Sequence, residues 1–168
     1  YDIVGDCMDE EEFVVEIVET PAIDPKNDVI VCDSYTLPSI TGVGVTGASY
    51  YTGPEGTGIE YDAGDVITES VMLYMYISAG ECSAEGSFSI EINITPDIDP
   101  LGGGTACDEF VLPEITGTNL SGNEAYFTGN DGTGRSYNAG DAINTSITLY
   151  AYDIVGDCMD EEEFVVEI

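Results

Sequence analysis

The chain has 168 residues, of which 34 are acidic and two basic, giving a formal net charge of −32 with no histidine and no tryptophan. That balance excludes a surface for DNA or RNA, whose phosphates need lysine and arginine, and docking on anionic lipid. Apolar residues at 43% exclude wholesale disorder, and no apolar run is long enough for a membrane span.

Residues 1–17 read YDIVGDCMDEEEFVVEI and return unchanged as residues 152–168, an offset of 151. Identity of that length marks an internal repeat. Residues 1–17 are therefore expected to be the C-terminal strands of a preceding repeat. Tyr1 is not a natural start and no signal peptide opens the chain, so the expectation is an excerpt of a longer array.

Residues 18–92 form repeat A with its N-terminal linker, and residues 93–168 form repeat B with its own. CDSYTLPSITG at Cys32 matches CDEFVLPEITG at Cys107, and YYTGPEGTG at Tyr50 matches YFTGNDGTG at Tyr126. YDAGDVI at Tyr61 matches YNAGDAI at Tyr137, LYMY at Leu73 matches LYAY at Leu149, and FSIEI at Phe88 matches FVVEI at Phe164. The unit is about 75 residues, with a one-residue insertion near Val43–Ser49.

The linkers carry TPAIDP from Thr20 and TPDIDP from Thr95. Two prolines fix φ and favour an extended path, so each linker is expected to be short, semi-rigid and polyproline-like. Within the units, Val71, Leu73, Met75 and Ile77 alternate with Met72, Tyr74 and Tyr76. Phe88, Ile90, Ile92 and Ile94 alternate with Ser89, Glu91 and Asn93. Period two means half-buried strands. Turn signals recur at Leu37-Pro38, Thr52-Gly53-Pro54, Gly56-Thr57-Gly58 and Ala63-Gly64-Asp65. The predicted fold is all-β: tandem immunoglobulin-like β-sandwiches of about seven strands each, without the tryptophan of true immunoglobulin domains.

Each complete repeat holds one cysteine near its first strand and one before its last. The expected disulfides are therefore internal, Cys32 with Cys82 and Cys107 with Cys158, and Cys7, the copy of Cys158, is expected to have its partner outside the chain. A closed loop of about 50 residues stabilises by roughly 4 kcal/mol in the chain-entropy model. Zinc fails on spacing, since there is neither a C-x-x-C pair nor a histidine. Disulfides imply an oxidising, extracellular setting.

Nucleophilic triads have no histidine to use, and no phosphate-binding fingerprint is present, so no enzyme is expected. Gly102-Gly103-Gly104 falls in a linker and is expected to cradle nothing. Calcium is the candidate ligand, with Asp24, Asp28 and Asp33 in one linker and Asp97, Asp99 and Asp108 in the next. The simpler reading of these acids is a solvated loop. Asp62, Asp65, Asn138 and Asp141 read as turn residues. Tyr74, Tyr76, Tyr150 and Tyr152 offer a strip for stacking on surface polysaccharide, although sheet packing is the plainer role. Asn93, Asn119 and Asn144 begin acceptor triplets for N-glycosylation, relevant in a eukaryotic host alone.

Taken together, the recurring C-D-x-[YF]-x-L-P-x-I-x-G, T-G-x-x-G-T-G, Y-[DN]-A-G-D-x-I and L-Y-x-Y strings resemble a repeat of giant cell-surface proteins of Bacteroidota. Those proteins are exported by type IX secretion and include the mobile adhesins of gliding flavobacteria. The resemblance spans nearly the whole chain. It implies an extracellular stalk or filament used in attachment or gliding, with neighbouring repeats of the same polypeptide as partners. Two other readings remain open: a self-assembling filament or sheath joined by strand donation, and a calcium- or glycan-binding module.

Overall fold

The computed structural model describes residues 2–4, 7–9, 11–15, 17 and 19–168. Every regular element among them is a strand. A first hairpin pairs β1 (Asp2–Val4) with β2 (Cys7–Asp9). Two units of nine strands follow, two more per unit than the turn count predicts, because the linkers supply strands of their own.

Unit A contains β3 (Ala22–Ile23), β4 (Val29–Cys32), β5 (Tyr35–Thr36), β6 (Gly42–Val43), β7 (Ser49–Gly53), β8 (Thr57–Tyr61), β9 (Val66–Ile67), β10 (Val71–Ala79) and β11 (Cys82–Asn93). Unit B repeats the order with β12 (Asp97–Ile98), β13 (Gly104–Thr105), β14 (Phe110–Val111), β15 (Gly117–Thr118), β16 (Ala125–Gly129), β17 (Thr133–Tyr137), β18 (Ala142–Ile143), β19 (Ile147–Val155) and β20 (Cys158–Glu167). In A the main sheet runs β4-β11-β10-β7-β8, and in B it runs β13-β20-β19-β16-β17. Short ladders complete each sandwich: β3–β6 and β5–β9 in A, β12–β15 and β14–β18 in B.

The period-two pattern is what the sheets bury. Leu73, Met75, Phe88 and Ile90 point inward beside Leu37, Tyr50 and Ile67. The equivalent positions Leu149, Ala151, Phe164, Val166, Leu112, Tyr126 and Ile143 make the core of B, joined by Ile98 and Ile115. Each unit thus closes its own hydrophobic core around a fully buried tyrosine. Tyr50 Oη donates to the carbonyl of Pro38 at 2.8 Å, and Tyr126 Oη to that of Pro113 at 3.2 Å. The Leu-Pro step and the tyrosine recur together because each completes the other.

The linkers differ from expectation. They are largely folded into the unit that follows them. Ala22–Ile23 and Asp97–Ile98 are ladder strands, and Ile98 and Pro96 are buried. The free connector between the units shrinks to Ile94-Thr95-Pro96, between β11 and β12. An apolar residue between two prolines can still pair on an edge, where a missing N–H costs nothing. Gly104 also has a task that its linker position hides: a Cβ there would collide with the Phe110 ring, so the backbone must pass close under that aromatic. Phe110 in turn packs on Phe164, their ring centroids 5.8 Å apart.

Candidate functional site at the unit junction

The internal disulfides expected from the cysteine spacing are not formed. Cys32 is bonded to Cys158, across the two units, with a sequence separation of 126. Strand register explains why. The parallel pairing of β4 on β11 sets Cys32 level with Asn93, the last residue of β11, whereas Cys82 is the first. Eleven steps of strand put them about 35 Å apart, far beyond disulfide reach. In B, β13 likewise lies against the end of β20, with Thr105 level with Glu167, while Cys158 opens that strand. Each unit therefore carries its two cysteines at opposite ends of its longest strand. Cys82 and Cys107 are free thiols, Cys107 exposed. The side chain of Cys7 lies outside the described residues. Spacing counted the residues in the loop correctly; what it missed is that the strand ending at Cys32 runs parallel to the last, which the shared hydrophobic pattern of β4 and β11 does not encode.

Around the bond, the β19–β20 hairpin of B folds back on the end of A. Its two-residue turn opens at Gly156, with φ of 62°, the glycine position of a type II′ turn. A Cβ on Gly156 would strike the Asn93 side chain, so hairpin and connector are in close contact. Cys158 is buried, its sulfur 3.7 Å from the Asn93 carbonyl oxygen. Asp33, itself at a positive φ of 60°, clamps the connector: the Thr95 N–H and Oγ–H donate to its carboxylate at 2.9 and 2.8 Å. Those donors hold Asp33 below the usual carboxylate range. From the other side, Asp160 Oδ2 accepts the Ile98 N–H at 2.7 Å. A covalent bond and three hydrogen bonds thus fix a three-residue connector.

The six acids expected at calcium sites are not gathered. Asp28 accepts the Ser89 N–H at 2.7 Å, which lowers its pKa. Asp33 is occupied as described. Asp99 Oδ2 accepts from Thr116 Oγ1 at 2.7 Å. Asp24 donates its N–H to Thr41, and Asp97 pairs with Thr118 in β12. Asp108 is exposed. Among the described residues no three Asp, Glu, Cys or His side chains converge on one point. The turn acids behave as read: the Asp62 N–H donates to Asp65 Oδ2 and the Asn138 N–H to Asp141 Oδ2, both at 2.8 Å, with Gly64 and Gly140 at positive φ. The tyrosine strip is half-buried and packed into the sheet. Tyr76 lies edge-on to Tyr51 and Tyr152 to Phe127, with the turn glycines Gly56 and Gly132 against their rings.

The architecture has a known counterpart. The solved structure of Drosophila OTK, extracellular domains 3–5, matches 90% of this chain at a TM-score of 0.50 and 11% identity. Titin domains I67–I69 match 89% of it at a TM-score of 0.46 and 10% identity. The chain spans 61% of the first structure and 66% of the second. At such identities the likeness is one of fold. No protein-family model matches the chain, and no curated protein does. The chain is thus a tandem of immunoglobulin-like β-sandwich units, joined here by a disulfide that crosses the junction.

Proposed function

We propose that this chain is a structural repeat of a large bacterial cell-surface adhesin, a piece of stalk or filament used in attachment or gliding. The observation that carries the reading is the cross-unit Cys32–Cys158 bond at a connector of three residues. A binding module needs a site. A stalk needs fixed joints, and the Cys32–Cys158 bond with the hydrogen bonds of Asp33 and Asp160 supplies one. The recurring strings support the same view, because each performs a structural task. Leu-Pro receives the core tyrosine, the Asp-Ala-Gly-Asp and Asn-Ala-Gly-Asp steps close turns, and the threonines Thr52 and Thr128 accept backbone N–H groups within their hairpins at 2.9 Å. A disulfide is the chemistry of an oxidising compartment outside the cytoplasm. A net charge of −32 makes neighbouring units repel, which keeps an array extended and soluble. The resemblance to Bacteroidota surface repeats supplies attachment and gliding as the use.

Antibody against the exposed face should label intact cells of the source bacterium. Deletion of the gene should abolish surface attachment or gliding while growth is unchanged. Cytoplasmic labelling, or full motility and attachment in the deletion, would overturn the reading.

A second reading, a filament of separate subunits joined by strand donation, draws on one observation. Phe13, Val14, Val15 and Ile17 are exposed, whereas Phe164 and Val166 of the identical later string are core. Mass under denaturant plus reductant separates the two. A tandem array stays very large, and a polymer of subunits falls to a short chain.

A further inference from the structure

The A-to-B junction uses one cysteine from each unit and leaves one in each unused. The unused pair stands at the same two repeat positions as the bonded pair. Cys107 begins the CDEFVLPEITG string of B as Cys32 begins CDSYTLPSITG of A. Cys82 follows the Ala79-Gly80-Glu81 turn of A as Cys158 follows Val155-Gly156-Asp157 of B, and Gly80 and Gly156 share a positive φ, 65° and 62°. Within a unit the two cysteines cannot meet, because strand register holds them at opposite ends. The order B then A is also written in this chain, since the last seventeen residues of a B unit stand directly before A.

We propose that Cys107 of each B unit is disulfide-bonded to Cys82 of the A unit that follows it on the same backbone, so that every junction of the array is cross-linked. The inference rests on the tandem-array part of the reading above and not on cell-surface location or adhesion. Two features of the formed junction reappear at the unformed one. Asp108 occupies the place of Asp33, and Thr20-Pro21 the place of Thr95-Pro96. A Cβ on Gly80 meets nothing within 4 Å among the described residues, where Gly156 is pressed on Asn93. One feature does not reappear, since Ala84 stands where Asp160 accepts the Ile98 N–H. The B-to-A joint thus keeps the covalent bond and the aspartate clamp and lacks the second hydrogen bond. Formation is a two-electron oxidation. Two thiols lose two hydrogens, and the disulfide of a thiol oxidoreductase in the export compartment takes them up to become a dithiol.

The bonds interleave. Cys32–Cys158 encloses Cys82 and Cys107, and each of those reaches out of the loop to an adjoining period. Two independent covalent paths then run the length of the array, so one broken bond does not release it.

The test is a disulfide map of the full-length protein as exported by the cell. The alkylated, non-reduced protein is digested with pepsin at acid pH, where disulfide exchange is suppressed, because lysine and arginine are too few for trypsin. Tandem mass spectrometry should find two linkages, Cys32 to Cys158 and Cys82 to Cys107. Alkylated Cys82 and Cys107 beside an intact Cys32–Cys158 link would overturn the proposal and leave the tandem array and its function standing. Peptides joining Cys32 to Cys82, or Cys107 to Cys158, would overturn it together with the register that motivates it. Loss of surface labelling in the preceding experiment would strike the functional reading and leave this map unaffected.

Discussion

Two residues, Tyr50 and Tyr126, hold the centres of the units. Burial pushes both phenols up to about 12, for Tyr50 with the help of Tyr35. A raised phenol pKa means that the folded state disfavours the phenolate. Its stabilising effect is whole below the ordinary tyrosine value near 10 and is lost as pH rises through about 12. Spectrophotometric titration should show most tyrosines ionising near 10 and a late step near 12 that coincides with unfolding. Tyr50→Phe should cost about 1 kcal/mol in urea unfolding, the worth of a hydrogen bond whose carbonyl partner loses its donor. Asp33 gives the complementary case in acid. Its pKa is lowered, so its support for the connector is present above the ordinary aspartate range and disappears as pH falls through its depressed value. The stability difference between the wild type and Asp33→Asn should therefore narrow in acid. Because the two proteins share all their charges but one, that comparison removes nearly all of the relief of self-repulsion by protonation. A difference that is unchanged down to pH 2 would contradict the clamp.

At the scale of elements, Gly156 and Gly80 have one turn geometry and two surroundings. Gly156→Ala should disrupt the docking of the β19–β20 hairpin against Asn93 and slow Cys32–Cys158 formation, read as the fraction of Cys158 alkylated during oxidative refolding. Gly80→Ala should bear the backbone cost alone, about 1 kcal/mol, with no effect on that bond. Equal effects from both would contradict the docking contact. Much of the strand pattern was legible in the residues. Alternation at Val71–Ile77 and Phe88–Ile94 locates the two longest strands of unit A and their buried faces, except that the strand ends at Asn93 and leaves Ile94 exposed. The Asp-Ala-Gly-Asp turns and the tyrosine packing also read correctly. What escaped is non-local. Parallel pairing of Val29–Cys32 on the end of β11 leaves no mark in a four-residue apolar run, yet it decides which cysteines can meet. The prolines of the linker hide strands β3 and β12 for a similar reason, since edge pairing of two residues needs no visible alternation. The string shared by residues 1–17 and 152–168 shows the limit plainly. Phe13 is 83% exposed and Phe164 1% exposed, so identical residues become core where a sheet receives them and solvent-facing where none does.

For the whole molecule, the junction bond changes the mechanics more than the thermodynamics. In the chain-entropy picture, closing a loop of this length contributes about 5 kcal/mol, shared between two units that each have a core. Under tension the effect is larger, because a loop with a sequence separation of 126 in a chain of 168 is bypassed by one covalent link. A chain built this way resists lengthening even after its sandwiches have unfolded. Internal bonds such as the cysteine spacing first suggested would lock about 100 residues per chain and leave more to stretch.

Single-molecule pulling on the two ends of the oxidised chain distinguishes these cases directly. With Cys32 bonded to Cys158, complete unfolding should release a contour of about 150 Å, rising to about 600 Å after reduction, at roughly 3.6 Å per residue. A release near 240 Å before reduction, the value for two bonds each internal to a unit, or the full length without any reductant, would contradict the account.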